Sequence, residues 1–119
     1  MPLDVRDPAQ LWDMLEAART AEALTEGITL DAFLADRRQQ LALERALEIV
    51  GEAARHVSES CRKENPGIPW RQIVALRHVL AHDYGEIDQR RVWQVARTEI
   101  PGLIEKLASI IPIPPETPG

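Results

Sequence analysis

The chain has 119 residues and a mass of 13.4 kDa; 45% of the residues are hydrophobic and 28% are charged. These values predict one globular domain and exclude a disordered chain. No apolar run approaches the ~20 residues that an α-helix needs to span a bilayer. Cys61 is the only cysteine, which excludes an intrachain disulfide and a cysteine-based zinc cluster. We therefore expect a soluble, cytoplasmic protein.

Charge is distributed unevenly along the chain. The formal net charge is −5 at pH 7, yet residues 1–36 alone carry eight Asp or Glu against two Arg. An acidic total argues against nonspecific coating of nucleic acid, because such binding draws on many Lys or Arg contacts to phosphates. Residues 37–119 are close to neutral and can still form a local basic surface.

Helical periodicity dominates the sequence, since apolar residues recur every three or four positions and no strand-like alternation is present. We therefore predict an all-α fold. The first predicted helix begins with Asp7 as its N-cap before Pro8, a residue suited to a first turn. It ends at Gly27, because glycine readily adopts the left-handed conformation that follows many helices.

The second predicted helix is the longest. Its apolar stripe runs from Leu41 to Cys61, which we expect to be buried, and the helix stops before Asn65. Thr29 is a candidate cap for a leading turn over 30–34. Periodicity alone leaves open whether the helix is continuous or breaks near Asp36.

The third predicted helix begins around Pro69 and ends near Gly85. Asp88 is the expected cap of a fourth helix, which Pro101 must kink or split because proline lacks a backbone N–H. Residues 112–119 contain four of the nine prolines and are predicted to form an extended tail.

Together these segments predict a single helical domain over residues 1–111, arranged as an antiparallel four-to-five-helix bundle. Its most informative segment is Arg77-His78-Val79-Leu80-Ala81-His82-Asp83-Tyr84, which holds two of the three histidines and the sole tyrosine. One interpretation is a solvated helix end, where cationic side chains are favoured by the helix dipole.

A metal site is the second interpretation of this segment. His78 and His82 are four residues apart and would share one face of a helix, as zinc-binding histidines do. A third ligand is not evident, and the His-Glu-x-x-His pattern is absent because Val79 follows His78. We therefore predict no metal.

The third interpretation is a metal-free acid–base site. Arg77 could hold a phosphate while the His82 imidazole exchanges a proton near neutral pH. On a regular helix the two side chains would point about 140° apart, so they converge only if the helix distorts or a second subunit contributes. Glu52, on the second helix, is a carboxylate that could hydrogen-bond Arg77 or bind substrate, with a solvated position on the helix face as the alternative.

The spacing Arg77-x4-His82-x-Tyr84 has the R-x4-H-x-Y form of the HepT family, within the HEPN superfamily, and the chain resembles that family over about residues 8–110. His78 also suits the superfamily, in which a polar residue usually follows the arginine. The flanking segments Gly51-Glu52-Ala53, Ile68-Pro69-Trp70 and Val92-Trp93 agree as well.

The resemblance implies a HEPN-like helical bundle that forms a homodimer and brings two copies of the motif to a shared cleft. It implies a metal-independent endoribonuclease that needs no cofactor and has Arg77 and His82 as catalytic residues. His78 is a candidate substrate-orienting residue, with a packing role as the alternative.

The resemblance further implies the toxin of a toxin–antitoxin pair. An MntA-like nucleotidyltransferase antitoxin would neutralise this toxin by transferring AMP from ATP to Tyr84. The alternative function is a non-catalytic HEPN module, in which Arg77 and His82 grip the phosphate of a nucleotide or partner without turnover.

Overall fold

The computed structural model describes residues 6–81 and 86–111, which form helices joined by short turns, with no β-strand among them. In chain order the elements are α1 (Asp7–Thr25), α2 (Leu30–Leu34), α3 (Arg37–Arg55), α4 (Glu59–Glu64), α5 (Trp70–Val74), α6 (Leu76–Val79), α7 (Gln89–Gln94), a π-helical segment (Val95–Glu99) and α8 (Ile100–Ile110). The prediction of an all-α fold is confirmed. The predicted tail at 112–119 lies outside the described residues.

Helix α1 begins differently from the prediction. The N-cap position is occupied by Arg6, and Asp7 is already helical. The Asp7 side chain is buried and accepts hydrogen bonds from the backbone N–H of Ser58 (2.8 Å) and from its hydroxyl (2.6 Å). The prediction of Asp7 as the cap of its own helix was wrong because its carboxylate finds donors at the start of α4 instead. Gly27, with φ of 74°, follows the helix end as predicted.

Local capping explains where α2 and α3 begin. The Thr29 hydroxyl accepts a hydrogen bond from the Ala32 N–H (3.1 Å), as predicted. Asp36 accepts one from the Gln39 N–H (3.2 Å), so the long segment breaks at Asp36 and α3 starts afresh. The open alternative of a single helix of some thirty residues is thereby excluded.

Helix α3 ends at Arg55, well short of the predicted end just before Asn65. Ser58 starts the separate helix α4, where its hydroxyl accepts a hydrogen bond from the Cys61 N–H (3.2 Å). Arg62 then folds back and donates to the carbonyl oxygens of Ala54 (2.8 Å) and Arg55 (3.1 Å). These bonds satisfy carbonyl groups that the end of α3 leaves without helical partners. Cys61 is fully buried, as predicted.

The third predicted helix is replaced by two short ones, α5 and α6. The backbone angle ψ is −2° at Ala75 and 2° at Leu80, far from the roughly −42° of an α-helix. The helical path is therefore interrupted between α5 and α6, and α6 ends at Val79. The third helix was predicted to continue to near Gly85, but Leu80 and Ala81 are not helical, so the prediction was wrong for these two residues. Residues 82–85 lie outside the described part of the chain.

Helices α7 and α8 are joined through the π-helical segment. Asp88 caps α7 as predicted, because one carboxylate oxygen accepts from the N–H groups of Arg90 (3.1 Å) and Arg91 (3.2 Å). Pro101 lies in the first turn of α8. A proline ring clashes with the carbonyl four residues earlier, here that of Arg97, so the turn before it widens. The predicted effect of Pro101 on the fourth helix is thus seen as the π-helical segment Val95–Glu99, which separates α7 from α8.

The core lies where α1 packs against α3, α8 and the π-helical segment. Its fully buried side chains include Leu11, Met14, Phe33, Leu43, Leu47, Val92, Ile100 and Leu107. Phe33 contacts the ring of Trp93 at a centroid distance of 5.3 Å. Within residues 6–81 and 86–111, no helix is long and apolar enough to cross a membrane.

Candidate functional site

Arg77 lies on α6 and lines an open groove of about 520 Å³ between α3 and the α5–α6 pair. One wall is a stripe of α3, formed by Leu47, Glu48, Gly51, Glu52 and Arg55, and the other comprises Val74, Arg77 and Leu80. Both walls follow helical spacing, since side chains three or four residues apart share one helix face. The Arg77 guanidinium is therefore available to a ligand from solvent.

Gly51 sets how closely these two walls approach. A Cβ placed on Gly51 would lie 3.2 Å from the carbonyl oxygen of Ile73 and 3.7 Å from the Cβ of Leu76. The missing side chain thus lets α3 pack directly on the backbone of α5. Leu76, the neighbour of Arg77 on α6, is buried beside Gly51 of α3. This packing places the exposed Arg77 at the edge of the groove.

His82 and Tyr84 lie outside the described residues, so their pairing with Arg77 stays a prediction. The structure does change one premise of that prediction. The expected angle of about 140° between Arg77 and His82 assumed a regular helix, whereas α6 ends at Val79 and Ala81 is not helical. The angle of about 140° therefore does not apply to this segment.

His78 lies on α6 beside Arg77 and is exposed, but it is not among the described residues that line the groove. The metal interpretation needed His78 and His82 on successive turns of one helix, and α6 ends between them. No group of three His, Cys, Asp or Glu side chains within 6–81 and 86–111 could share a metal ion. A substrate-orienting role for His78 remains a prediction.

Glu52 makes contacts that the sequence analysis did not assign. Its Oε1 accepts a hydrogen bond from Arg55 Nη2 (2.8 Å) and lies 3.2 Å from His56 Nε2. The bond from Arg55, followed by that from His56, holds the pKa of the Glu52 carboxyl below its usual value. The same pair raises the pKa of Arg55. Glu52 lines the groove with Arg77, but the partners found for it are Arg55 and His56.

The signal for this cluster was present in the sequence as Glu52-x-x-Arg55-His56, which places the guanidinium and the imidazole one turn after the carboxylate. Its importance was missed because such pairs are common on solvated helices. Only the packing of α3 against α6 shows that Arg55 and Arg77 line one groove. The carboxylates of Glu48 and Glu52 also line the groove and balance the formal charge of the two arginines, but the guanidinium groups of Arg55 and Arg77 each have the donor geometry that binds phosphate.

Cys61 is not part of this chemistry. Its side chain is fully buried, and burial together with the nearby charge of Asp7 raises the pKa of the thiol. A thiol of this kind is a poor nucleophile because the reactive species is the thiolate.

Comparison with known proteins gives the family. The sequence profile described as ribonuclease HepT-like matches residues 14–110. A Methanocaldococcus jannaschii protein named "Putative RNase MJ1380" is 36% identical over 93 residues, which cover 78% of this chain and 85% of that protein. A Thermococcus cleftensis protein named "Probable ribonuclease HepT" is 36% identical over 100 residues, covering 84% and 91%.

A second M. jannaschii protein, "Putative RNase MJ0127", is 34% identical over 108 residues, or 91% of this chain and 88% of that protein. No solved structure shows a significant match to the chain. The profile match and these near full-length similarities agree with the R-x4-H-x-Y spacing that ends in Tyr84. The chain therefore belongs to the HepT-like ribonuclease family.

Proposed function

We propose that this chain is a metal-independent endoribonuclease, with Arg77 and His82 as its catalytic residues. Membership of a ribonuclease family supports activity on RNA. The observation that carries the proposal is the position of Arg77, which is exposed and lines an open groove. A guanidinium in this place can reach an RNA phosphate, whereas one sealed in the core could not.

The chemistry requires only proton transfer and charge stabilisation, because RNA carries its own nucleophile. His82 would take the proton of a 2′-hydroxyl, the 2′-oxygen would bond to phosphorus, and the 5′-oxygen would leave with its bonding electrons and gain a proton. Arg77 would offset the negative charge that develops on the phosphate oxygens. The products are a 2′,3′-cyclic phosphate and a 5′-hydroxyl end.

Digestion of RNA by purified protein tests this proposal. We expect wild type to cleave, and Arg77→Ala and His82→Ala each to lose at least about a hundredfold in rate while remaining folded. Arg71→Ala is the matched control, since Arg71 is exposed on the adjacent α5 and does not line the groove. Wild type that binds RNA and yields no products would favour the non-catalytic module and contradict the proposal.

We also propose a homodimer in which Arg77 of one chain meets His82 of the other. Trp12 and Trp93 are candidate interface contacts, because both are only half-buried within one chain and aromatic side chains are enriched at interfaces.

Mixing two inactive variants tests this arrangement. Arg77→Ala and His82→Ala chains, once exchanged, should regain about a quarter of the wild-type activity, because half of the dimers would carry one intact site of two. Persistent inactivity after verified exchange would contradict a site shared between chains.

The final part of the proposal concerns regulation. We propose that the chain is the toxin of a toxin–antitoxin pair and that an MntA-like nucleotidyltransferase attaches AMP to Tyr84. Tyr84 is two residues from His82 in sequence. Added AMP would bring bulk and negative charge close to the catalytic imidazole and would repel the phosphates of the substrate.

A further inference from the structure

A second guanidinium lines the groove that contains Arg77. Arg55, the last residue of α3, belongs to the opposite wall, and its side chain is 54% exposed. The groove volume of about 520 Å³ lies within the range of roughly 300–1,000 Å³ that is typical of small-ligand pockets. Leu47, Val74 and Leu80 provide apolar surface between the charged groups. The groove is therefore large enough for more than a single phosphate.

Glu52 restrains the Arg55 side chain in this groove. One carboxylate oxygen accepts from Arg55 Nη2 at 2.8 Å, which occupies one of the five N–H donors of the guanidinium. The lowered pKa of the Glu52 carboxyl keeps it ionised near neutral pH, so the ion pair with Arg55 can form there. The remaining donors are free to meet a phosphate, and less side-chain entropy is lost on binding because the side chain is already restrained.

We propose that Arg55 binds an RNA phosphate next to the one that is cleaved, and thus forms a second phosphate subsite facing Arg77 across the groove. This inference rests on the proposed ribonuclease function for the identity of the ligand. Arg55 is a substrate-binding residue in this account and does not take part in proton transfer. Glu52 is the residue that positions it.

The same helix provides a matched control. Arg45 and Glu48 form an ion pair of the same spacing, with an N–O distance of 2.6 Å and side-chain exposures of 67% and 61%. Arg45, however, lines a neighbouring, smaller groove of about 220 Å³, which shares Glu48 and Glu52 with the first groove but does not include Arg55 or Arg77. Loss of Arg45 removes the same charge from the same helix at a residue outside the groove that contains Arg77, although it also frees Glu48, which lines that groove.

The test is binding of a single-stranded 2′-O-methyl RNA, which lacks the nucleophilic hydroxyl and cannot be cleaved. Fluorescence anisotropy between about 50 and about 200 mM salt gives the affinity and its salt dependence. We expect Arg55→Gln to weaken binding about tenfold and to reduce the salt slope by about 0.7, the value for one phosphate contact on a single strand. Arg55→Lys should retain the slope, and Arg45→Gln should stay within about twofold of wild type.

On cleavable RNA, Arg55→Gln should raise KM about tenfold and change kcat by less than about threefold, in contrast to the loss of kcat expected for Arg77→Ala. Arg55→Gln that matches Arg45→Gln in affinity and salt slope would overturn the subsite, even if wild type cleaves RNA. Wild type that binds RNA without cleaving it contradicts the proposed function alone. Wild type that does not bind RNA overturns both.

Discussion

Replacing Gly51 by alanine tests the packing contact that forms the groove. The new Cβ would lie 3.2 Å from the Ile73 carbonyl oxygen, which belongs to the backbone of α5 and cannot turn away as a side chain would. Alanine gains about 1 kcal/mol over glycine inside a helix, whereas overpacking of this kind costs about 1–3 kcal/mol. We therefore expect Gly51→Ala to lower the free energy of unfolding by about 0–2 kcal/mol.

Gly102→Ala is the control for this substitution. A Cβ on Gly102, in α8, would meet nothing within 4 Å, so the helix-propensity gain of about 1 kcal/mol should appear without a steric cost. The two variants should thus differ by about 1–3 kcal/mol, or by roughly 4–12 °C in Tm for a domain of this size. Thermal and urea unfolding followed by circular dichroism measure both values. Equal stabilisation by the two substitutions would refute the close approach of α3 and α5.

Three further predictions follow from individual side chains. Asp7→Ala should lower the free energy of unfolding by about 2–4 kcal/mol, because it removes two hydrogen bonds to Ser58. The control Asp13→Ala, at an exposed site of the same helix, should change it by less than about 0.5 kcal/mol. Comparable losses for the two variants in urea unfolding would contradict this. Cys61 should react with iodoacetamide only after unfolding, since burial raises the pKa of its thiol; rapid labelling of native protein by mass spectrometry would disprove its burial. Incubation with ATP and the nucleotidyltransferase should raise the intact mass by AMP increments, and Tyr84→Phe should abolish them; an unchanged mass shift in that variant would reject Tyr84 as the acceptor.

Features fixed by local chemistry could be predicted from the sequence. Thr29 and Asp88 cap the helices that follow them as predicted, because the donors they accept from lie two or three residues ahead. Asp36 caps α3 by the same local chemistry, although the sequence analysis left open whether the helix breaks there. Asp7 has the same local pattern, but its donors belong to Ser58, 51 residues later in the chain. Such a partner depends on tertiary packing and leaves no signal in the neighbouring sequence.

The division of the third helix was also beyond local prediction. No proline or glycine marks the interruption at Ala75, and the stripe containing Ile73 and Leu76 reads as one continuous helix. Both residues are buried, so packing against the rest of the domain, rather than helix propensity, sets the path of the backbone here.

In the candidate site, too, one residue could be predicted from local sequence and another could not. Arg77 could be identified because it belongs to a motif of fixed spacing, which depends only on residues within one segment. Arg55 could not, because its proximity to the groove depends on how α3 packs against α5 and α6. Its pairing with Glu52 is an ordinary feature of exposed helices until that packing is known.

The chemistry of the cleaved ends tests the central claim most directly. RNA digested by wild type in excess chelator should carry 2′,3′-cyclic phosphate and 5′-hydroxyl ends, and the rate should fall on the acidic side of the imidazole range as the His82 base becomes protonated. The same digestion by Arg77→Ala should give no such ends above background. Cleavage that stops when metal is removed, or that leaves 5′-phosphate ends, would contradict attack by the RNA 2′-hydroxyl at Arg77 and His82.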